Sequence, residues 1–298
     1  MENIKNLELD PFYVTGFSDG EACFHLAIGK NLKYKIGYYV NPGFSIVLHK
    51  KDKELLGKFR KFFKNVGVLK VKKDIVQFRV FSINDLDILI KHFDQYSLIT
   101  KKHTDYLLFK EAINLIKNKE HLTIEGFNKI ISIKASMNKG LPEILKLAFP
   151  NITGKVTKEI ALSENLNPNW IRGFTEAEGC FFVKVRKNNN LVLGCQITQH
   201  IRDTLLIKKL IPFFNCGRLE SSNSAINFVV TKLSDISKII IPFYEKYPLI
   251  GSKLKDFEDW KKICQLMKSK SHLNKEGLNE IMKIRLGMNA SRLFTDET

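Results

Sequence analysis

The sequence predicts an α+β protein of two pseudo-symmetric α-β-β-α-β-β-α-α domains, each built on an antiparallel sheet. Three observations carry this reading. First, a phrase occurs twice: Phe12-Tyr13-Val14-Thr15-Gly16-Phe17-Ser18-Asp19-Gly20-Glu21-Ala22-Cys23-Phe24 returns as Asn169-Trp170-Ile171-Arg172-Gly173-Phe174-Thr175-Glu176-Ala177-Glu178-Gly179-Cys180-Phe181. Second, matching residues recur at a fixed step of 151 positions: Asp52 with Asp203, Phe62-Phe63 with Phe213-Phe214, Lys102 with Lys253, Asp105 with Asp256, and Met137-Asn138 with Met288-Asn289. A step this long means two homologous domains, not an array of small repeats. Third, the hydrophobic period changes to two after each phrase, which marks a half-buried strand.

The elements follow in order. Asp10 and Pro11 suit the N-cap and first turn of a helix. Tyr13, Gly16, Phe17 and Gly20 then share one face at spacings of three and four. Glycine inside a helix costs about 1 kcal/mol relative to alanine, so two on one face predict the close approach of another backbone. The second copy presents Trp170, Gly173, Phe174 and Ala177 there. Helices over about Pro11 to Gly20 and Pro168 to Ala177 are therefore expected to cross with Gly16 and Gly173 closest and their C-terminal ends converging.

Next, Phe24, Leu26 and Ile28 alternate with His25, Ala27 and Gly29, as Phe181, Val183 and Val185 do with Phe182, Lys184 and Arg186. Further strands are read at Tyr38 to Leu48, Leu69 to Lys72, Ile75 to Phe81, Leu191 to Thr198, Arg218 to Ser221 and Ala225 to Thr231. Amphipathic helices are expected over Asp52 to Lys64 and Asp203 to Phe214, with further helical patterns at Ile83 to Asp94, Thr104 to Asn118 and Ile124 to Met137. Around the phrase the step is 157, so the second half lacks six residues. The deficit falls between Lys187 and Gly194, short against Gly29 to Gly43, as a variable hairpin loop would be. The domains are expected at residues 1–138 and 169–298, joined by a linker over 139–168 that holds three prolines and two glycines.

Charge narrows the partner. Lys+Arg 48 against Asp+Glu 31 gives +17 over 298 residues, spread over both halves, and this points to a polyanion such as nucleic acid. No apolar run is long enough to span a bilayer, and the basic residues are not gathered into one amphipathic helix. The five cysteines, Cys23, Cys180, Cys195, Cys216 and Cys264, form no Cys-x-x-Cys pair, so neither zinc site nor disulfide framework is indicated. Met1 to Lys5 carries no secretory or transit signal. The heavy use of Lys, Asn, Ile and Phe suits an AT-rich organellar gene, so a mitochondrion or other organelle is the expected location.

Each phrase delivers one glutamate, Glu21 or Glu178, to a helix end. Two carboxylates inside a very basic protein suit a divalent metal held against a phosphate backbone. The phrase Gly-Phe-x-acid-small-acid, the leading helix and the two hairpins resemble the LAGLIDADG homing endonucleases, in their single-chain, two-motif form. The likeness covers almost the whole chain. It departs at Ala22, where the family usually has glycine, and at Glu176, where aspartate is commoner.

The resemblance implies a saddle of two sheets over double-stranded DNA, with the motif helices at the domain interface and the chain acting as a monomer with internal pseudo-twofold symmetry. It implies a staggered, metal-dependent double-strand cut at a long pseudo-palindromic site. Glu21 and Glu178, with the carbonyls of Gly20 and Ala177, would hold Mg²⁺ or a similar divalent ion. Asp19 and Glu176 would instead tie the helix ends to neighbouring backbone. Gln199 falls where the family positions the hydrolytic water; its partner at the step of 151 is Leu48, so the two centres are expected to be unequal. Lys102 and Lys253 fall where the family places a basic residue near the active centre, with Lys101 and Lys232 as alternatives.

DNA readout is expected from outward strand positions: His25, Lys70, Lys72, Gln77 and Arg79, then Lys184, Arg186, Gln196, Arg218, Glu220 and Asn227. Such side chains suit major-groove edges, and a two-stranded ribbon fits that groove. Two other readings stay open: an intron RNA maturase on the same fold, and a DNA-binding protein without catalysis.

Overall fold

The helix expected at the first phrase is present as α1 (Pro11–Glu21), and Asp10 caps it by accepting from the amides of Phe12 (2.8 Å) and Tyr13 (3.3 Å). The computed structural model describes residues 8–157, 165–187 and 190–289. The expectations for Met1 to Lys5, for part of the linker and for the tip of the second-half hairpin lie outside these residues.

After α1 come β1 (Ala22–Lys30), β2 (Tyr38–His49), α2 (Lys53–Phe62), β3 (Val68–Lys72), β4 (Ile75–Val80), α3 (Ile83–Gln95), α4 (Lys102–Lys117), α5 (Ile124–Ser136) and α6 (Glu143–Ala148). The second half repeats the plan. It runs through α7 (Pro168–Glu178), β5 (Gly179–Val185), β6 (Leu191–His200), α8 (Thr204–Lys208), α9 (Leu210–Phe214), β7 (Arg218–Ser221) and β8 (Ala225–Val230). It ends in α10 (Leu233–Asp235), α11 (Ile241–Lys246), α12 (Lys253–Lys268) and α13 (Lys275–Leu286). The sheets have matching antiparallel orders, β1-β2-β4-β3 and β5-β6-β8-β7. Both motif helices run one residue further than expected, so each glutamate is the last helical residue.

Two elements depart from the single helices expected in the second half, and proline explains both. Asp203 to Phe214 is broken into α8 and α9 at Lys209, and a π turn (Ile236–Ile240) precedes α11. Pro212 and Pro242 lack an amide hydrogen, and their rings crowd the carbonyl four residues back. The first-half counterparts at the step of 151 are Lys61 and Lys91. There α2 and α3 run unbroken.

The chain divides into two compact units: Met1–Gly20 with Lys51–Leu55 and Ser163–Thr298, and Glu21–Lys50 with Leu56–Leu162. The first motif helix thus belongs with the second sheet, which the expected boundaries did not anticipate. The stretch expected as linker is packed chain in its first part. Leu145 of α6 joins Phe127 and Ile131 in a buried cluster, and Phe149 and Ile152 lie against it. Ser132 and Ser136 donate to the carbonyls of Thr153 and Lys155 at 2.8 and 2.9 Å.

Each unit has the same aromatic centre. Phe24 lies 5.4–5.5 Å from Phe93, Tyr106 and Phe109, and Phe181 lies 5.1–5.6 Å from Tyr244, Phe257 and Trp260. Full burial of such rings contributes about 1.5–3 kcal/mol each. The repeated Met-Asn pair closes each unit. Asn138 (φ 52°) and Asn289 (φ 55°) take the left-handed conformation that asparagine tolerates. The amide of Asn138 donates to Asp105 and its side chain to the Phe24 carbonyl; Asn289 does the same to Asp256 and Phe181, all at 2.8–3.0 Å. The strand that leaves each glutamate is thereby tied to the last helices of its unit.

Candidate active site

Backbone contact governs the pair of motif helices. A Cβ on Gly16 would collide with the carbonyl oxygen of Trp170, and one on Gly173 with that of Tyr13. The approach is reciprocal, as the repeat requires. One at Gly20 would strike the Ala177 methyl and stand 3.1 Å from Cγ of Glu178. The C-terminal turns therefore meet with no side chain between them.

The acids before the glutamates hold this contact. Trp170 Nε1 donates to Asp19 Oδ2 at 2.8 Å, and Glu176 Oε2 accepts from Tyr13 Oη at 3.3 Å and from the Ile250 amide at 2.7 Å. Asp19 and Glu176 are buried, at 1% and 7% exposure, so neither faces solvent or DNA. Burial pushes the Glu176 carboxyl above the usual range, against the opposing pull of the Ile250 amide and the Lys253 charge. Arg172 lies beneath, its guanidinium 4.9 Å from the Tyr13 ring and its Nε donating to the Pro248 carbonyl at 2.5 Å.

Lys253, the first residue of α12, donates to the carbonyls of Thr175 (3.1 Å) and Ala177 (3.2 Å) at the end of α7. Helix C-terminal carbonyls lack intrahelical partners and carry partial negative charge, so they draw a cation. Lys102 opens α4, its amide donating to Thr100 Oγ1 at 3.2 Å. In each unit the lysine stands by the first strand after the glutamate. Burial raises the thiols of Cys23 and Cys180, and the charges of Lys102 and Lys253 respectively oppose it. Lys101 sits at the N-cap of α4. Lys232 is exposed and pairs with Asp235 at 3.6 Å. Lys253 and Lys102 thus occupy the positions the repeat assigns them.

Among the described residues, no three His, Cys, Asp or Glu side chains gather in a metal cluster. The donors at the helix ends are one carboxylate and one backbone carbonyl each. Such an oxygen-only set fits a hard divalent ion that takes its other ligands from phosphate and water; the Ala177 carbonyl is shared with the Lys253 ammonium, 3.2 Å away.

Gln199 lies near the end of β6, opposite Ile226 on the buried face; Leu48 lies likewise opposite Val76. The Gln199 carboxamide oxygen accepts from the His200 amide at 2.7 Å. The strand register places the expected readout residues on the other face. Gln77 stands opposite Val47 and Lys70, Arg79 opposite Ser45 and Val68, and Lys72 opposite Ile75. His25 shares that face, opposite Gly43, and burial holds its imidazole below the usual pKa. In the second sheet, Lys184 stands opposite Val192, Gln196 opposite Cys180, and Asn227 opposite Thr198 and Glu220. Arg186 follows the end of β5.

These two faces differ in order. On the second, Thr198 donates to Asn227 (2.6 Å), Asn227 to the Glu220 carbonyl (3.1 Å), and Arg218 to Glu220 (2.5 Å) and Thr231 (2.8 Å). Asn227 thus bonds within the sheet through both ends of its amide, with one donor hydrogen and one lone pair left over. Thr198 was not expected from the sequence; its period-two position on β6, two residues beyond Gln196, was the available signal. On the first face, Val47, Val68 and Ile75 are 38–55% exposed beside the lysines.

Comparison with known proteins agrees with this geometry. The sequence model of the family described as LAGLIDADG endonuclease matches residues 14–113 and 171–264. Two Neurospora crassa proteins, probable intron-encoded endonucleases 2 and 3, are each 38% identical and cover 93% and 92% of this chain. The chain spans only 64% and 54% of their lengths. The crystal structure of the I-SmaMI LAGLIDADG homing endonuclease bound to cleaved DNA is 42% identical with a TM-score of 0.92, covering 96% of this chain and 98% of its own. I-SmaMI bound to uncleaved DNA with calcium ions is 42% identical at a TM-score of 0.91, covering 94% and 99%.

Proposed function

The chain belongs to the LAGLIDADG endonuclease family, and on that premise we propose that it makes a metal-dependent, staggered double-strand break in DNA at a long pseudo-palindromic site. The observation that carries the reading is the reciprocal contact of Gly16 and Gly173 with the facing helix, which brings Gly20 against Ala177 and Glu178. Any larger side chain at Gly16 or Gly173 would push the two acid-bearing helix ends apart.

In this reading Glu178 with the Ala177 carbonyl, and Glu21 with the Gly20 carbonyl, are the oxygen donors for the divalent ion, with Mg²⁺ as the physiological one. When bound, such an ion supplies Lewis-acid neutralisation of charge on the phosphate under attack. Water adds to phosphorus and the bond to the 3′ oxygen breaks, leaving a 3′ hydroxyl and a 5′ phosphate. Gln199 orients that water in one centre, and Leu48 leaves the other without an equivalent. Lys253 and Lys102 supply positive charge beside the helix ends.

The outward strand faces bind the duplex as a single chain, with the net charge of +17 drawing it in. The names of the Neurospora relatives make an intron origin part of the proposal, and the Lys- and Asn-rich composition suits an organellar gene.

The test is cleavage of a plasmid that carries the intron-insertion sequence, with a binding titration alongside. Glu21→Gln and Glu178→Gln keep shape and remove charge; each should abolish cutting in Mg²⁺ and leave binding within about threefold. Full cleavage by Glu178→Gln would refute the assignment. Binding that does not weaken as salt rises would refute the DNA interface, since displaced counterions make affinity fall log-linearly with salt.

A further inference from the structure

The π turn before α11 contains a residue that the first half lacks. Phe78 and Phe228, buried strand residues opposite Ile46 and Ile197, match at a step of 150; Phe93 and Tyr244, in the two aromatic centres, match at 151. The extra residue falls between them, where the π turn (Ile236–Ile240) lies. Pro242 explains how the turn is tolerated. Inserted π turns recur at functional sites, and this one changes a charge.

In the first unit Asp87 of α3 pairs with Lys117 of α4 at 2.5 Å. Lys117 matches Lys268 of α12, but Asp87 has no acidic match. Counted from the buried residue before it (Leu86, matching Ile236), the match is Ser237. Counted from the buried residue after it (Leu89, matching Ile240), the match is Lys238.

Where the first unit has an ion pair between two helices, the second has a groove of about 570 Å³, the size of a small-ligand site. Ser237 and Lys238 form one wall. Met267 and Lys268 at the end of α12, with Lys270 and Leu273 just beyond, form the other. Among the described residues no Asp or Glu lines it, and none of its lysines is in an ion pair. The lysines are exposed, and so is Leu273, at 74%. The groove belongs to the helical layer, which packs on the Phe181 side of the sheet; Lys184 and Gln196 occupy the other side.

Solvated lysines on a basic protein need no ligand by themselves. Here they converge where the repeat elsewhere neutralises one of them with an aspartate, so the balancing anion must come from outside. Met267 and Leu273 add an apolar surface that a bare phosphate ion would not use. A duplex keeps its bases stacked inside; a single strand offers phosphates and free base faces together.

We propose that this groove is a second nucleic-acid site, which takes a single strand behind the sheet. Lys238, Lys268 and Lys270 meet phosphates, and Met267 and Leu273 take the apolar face of a base. The site goes beyond DNA cleavage and does not depend on it.

The test is fluorescence anisotropy of a labelled single strand of about 12 nucleotides, DNA or RNA, with the full-length protein. Wild type should bind it, and should still bind it when saturated with duplex carrying the intron-insertion sequence. Lys238→Asp, which rebuilds the first unit's ion pair with Lys268, should weaken single-strand binding about tenfold for all sequences alike. Lys238→Gln combined with Lys268→Gln should lower the salt slope by about 1.4, since each single-strand phosphate contact contributes about 0.7. Leu273→Ser should weaken a strand with bases and leave an abasic strand unaffected. Melting temperature and duplex cleavage should stay at wild-type values in all of these variants. Failure of wild type to bind, full displacement by the duplex, or unchanged affinity of Lys238→Asp overturns the inference. So does an oligoglutamate peptide that competes as well as the strand. Full cleavage by Glu178→Gln would remove the proposed function and leave this site standing; unchanged single-strand binding by Lys238→Asp would remove this site alone.

Discussion

Trp170 of the second motif helix donates its indole hydrogen to Asp19 of the first, at 2.8 Å, and the repeat-related pair Tyr13 and Glu176 returns the bond in the opposite sense. The acid that precedes each glutamate is therefore spent on the partner helix. The pair is fastened twice by exchange, with bare backbone between the fastenings.

Gly16→Val should destabilise the protein as a whole. The new side chain would enter space held by the Trp170 carbonyl and would stand 3.0 Å or less from the Phe174 amide nitrogen. Overpacking of a tight contact costs about 1–3 kcal/mol, and thermal melting would report it. An unchanged melting temperature would count against the helix crossing.

Glu176→Gln should make stability less dependent on pH. Burial raises the folded pKa of Glu176 above its ordinary value of 4.5. Below 4.5 both states hold the proton and its contribution is complete; as pH rises from there towards the raised value, the unfolded chain releases the proton first and stability is lost. The variant should lack that decline. A glutamine carbonyl can accept the Tyr13 and Ile250 bonds that one carboxylate oxygen now accepts. Melting curves across mildly acidic to neutral pH decide the matter.

His92 acts with the opposite sign. Burial lowers its pKa from 6.5 to about 4, among Phe62, Phe63 and Tyr96. Above 6.5 both states are neutral; as pH falls from 6.5 to about 4 the unfolded chain takes a proton that the fold refuses, so stability falls. The shift bounds the loss at about 3 kcal/mol. His92→Leu should flatten denaturant midpoints over that window.

Lys253→Met removes the cation from the end of α7. Cleavage should fall about a hundredfold, the scale of losing one fixed electrostatic stabiliser. Melting should drop by no more than about 1.5–3 kcal/mol. Equal cleavage rates for variant and wild type would mean that the lysine only caps the helix.

Gln199→Leu should slow one strand's cleavage more than the other and raise the share of nicked plasmid, because it gives the second centre the side chain the first has at Leu48. Equal slowing of both strands would remove the claim of asymmetry and leave the glutamates untouched.

Much of this was legible in the sequence because the chain states it twice. The glycine face, the Asp10 cap and the outward parity of His25, Lys70, Gln77, Arg79, Lys184 and Gln196 all follow from local spacing, which strands and helices obey closely. What escaped was partly local and partly tertiary. Pro212 and Pro242 break helices whose apolar pattern is intact, a local signal outweighed by the periodicity. The segment after Met137 looks like a tether until Leu145 is seen buried. The bonds of Asn227 to Thr198 and to the Glu220 carbonyl join three strands and cannot be read from spacing within one.

The reciprocal bond between Trp170 and Asp19 also sets a timetable. These residues are 151 positions apart, so α1 leaves the ribosome long before its partner exists. At about 5–20 residues per second the delay is roughly 8–30 s. Throughout it the nascent chain carries a helix with two bare glycines and an acid fated for burial, and nothing yet made can cover them. A helix made 151 residues ahead of its partner is among the last elements to be completed.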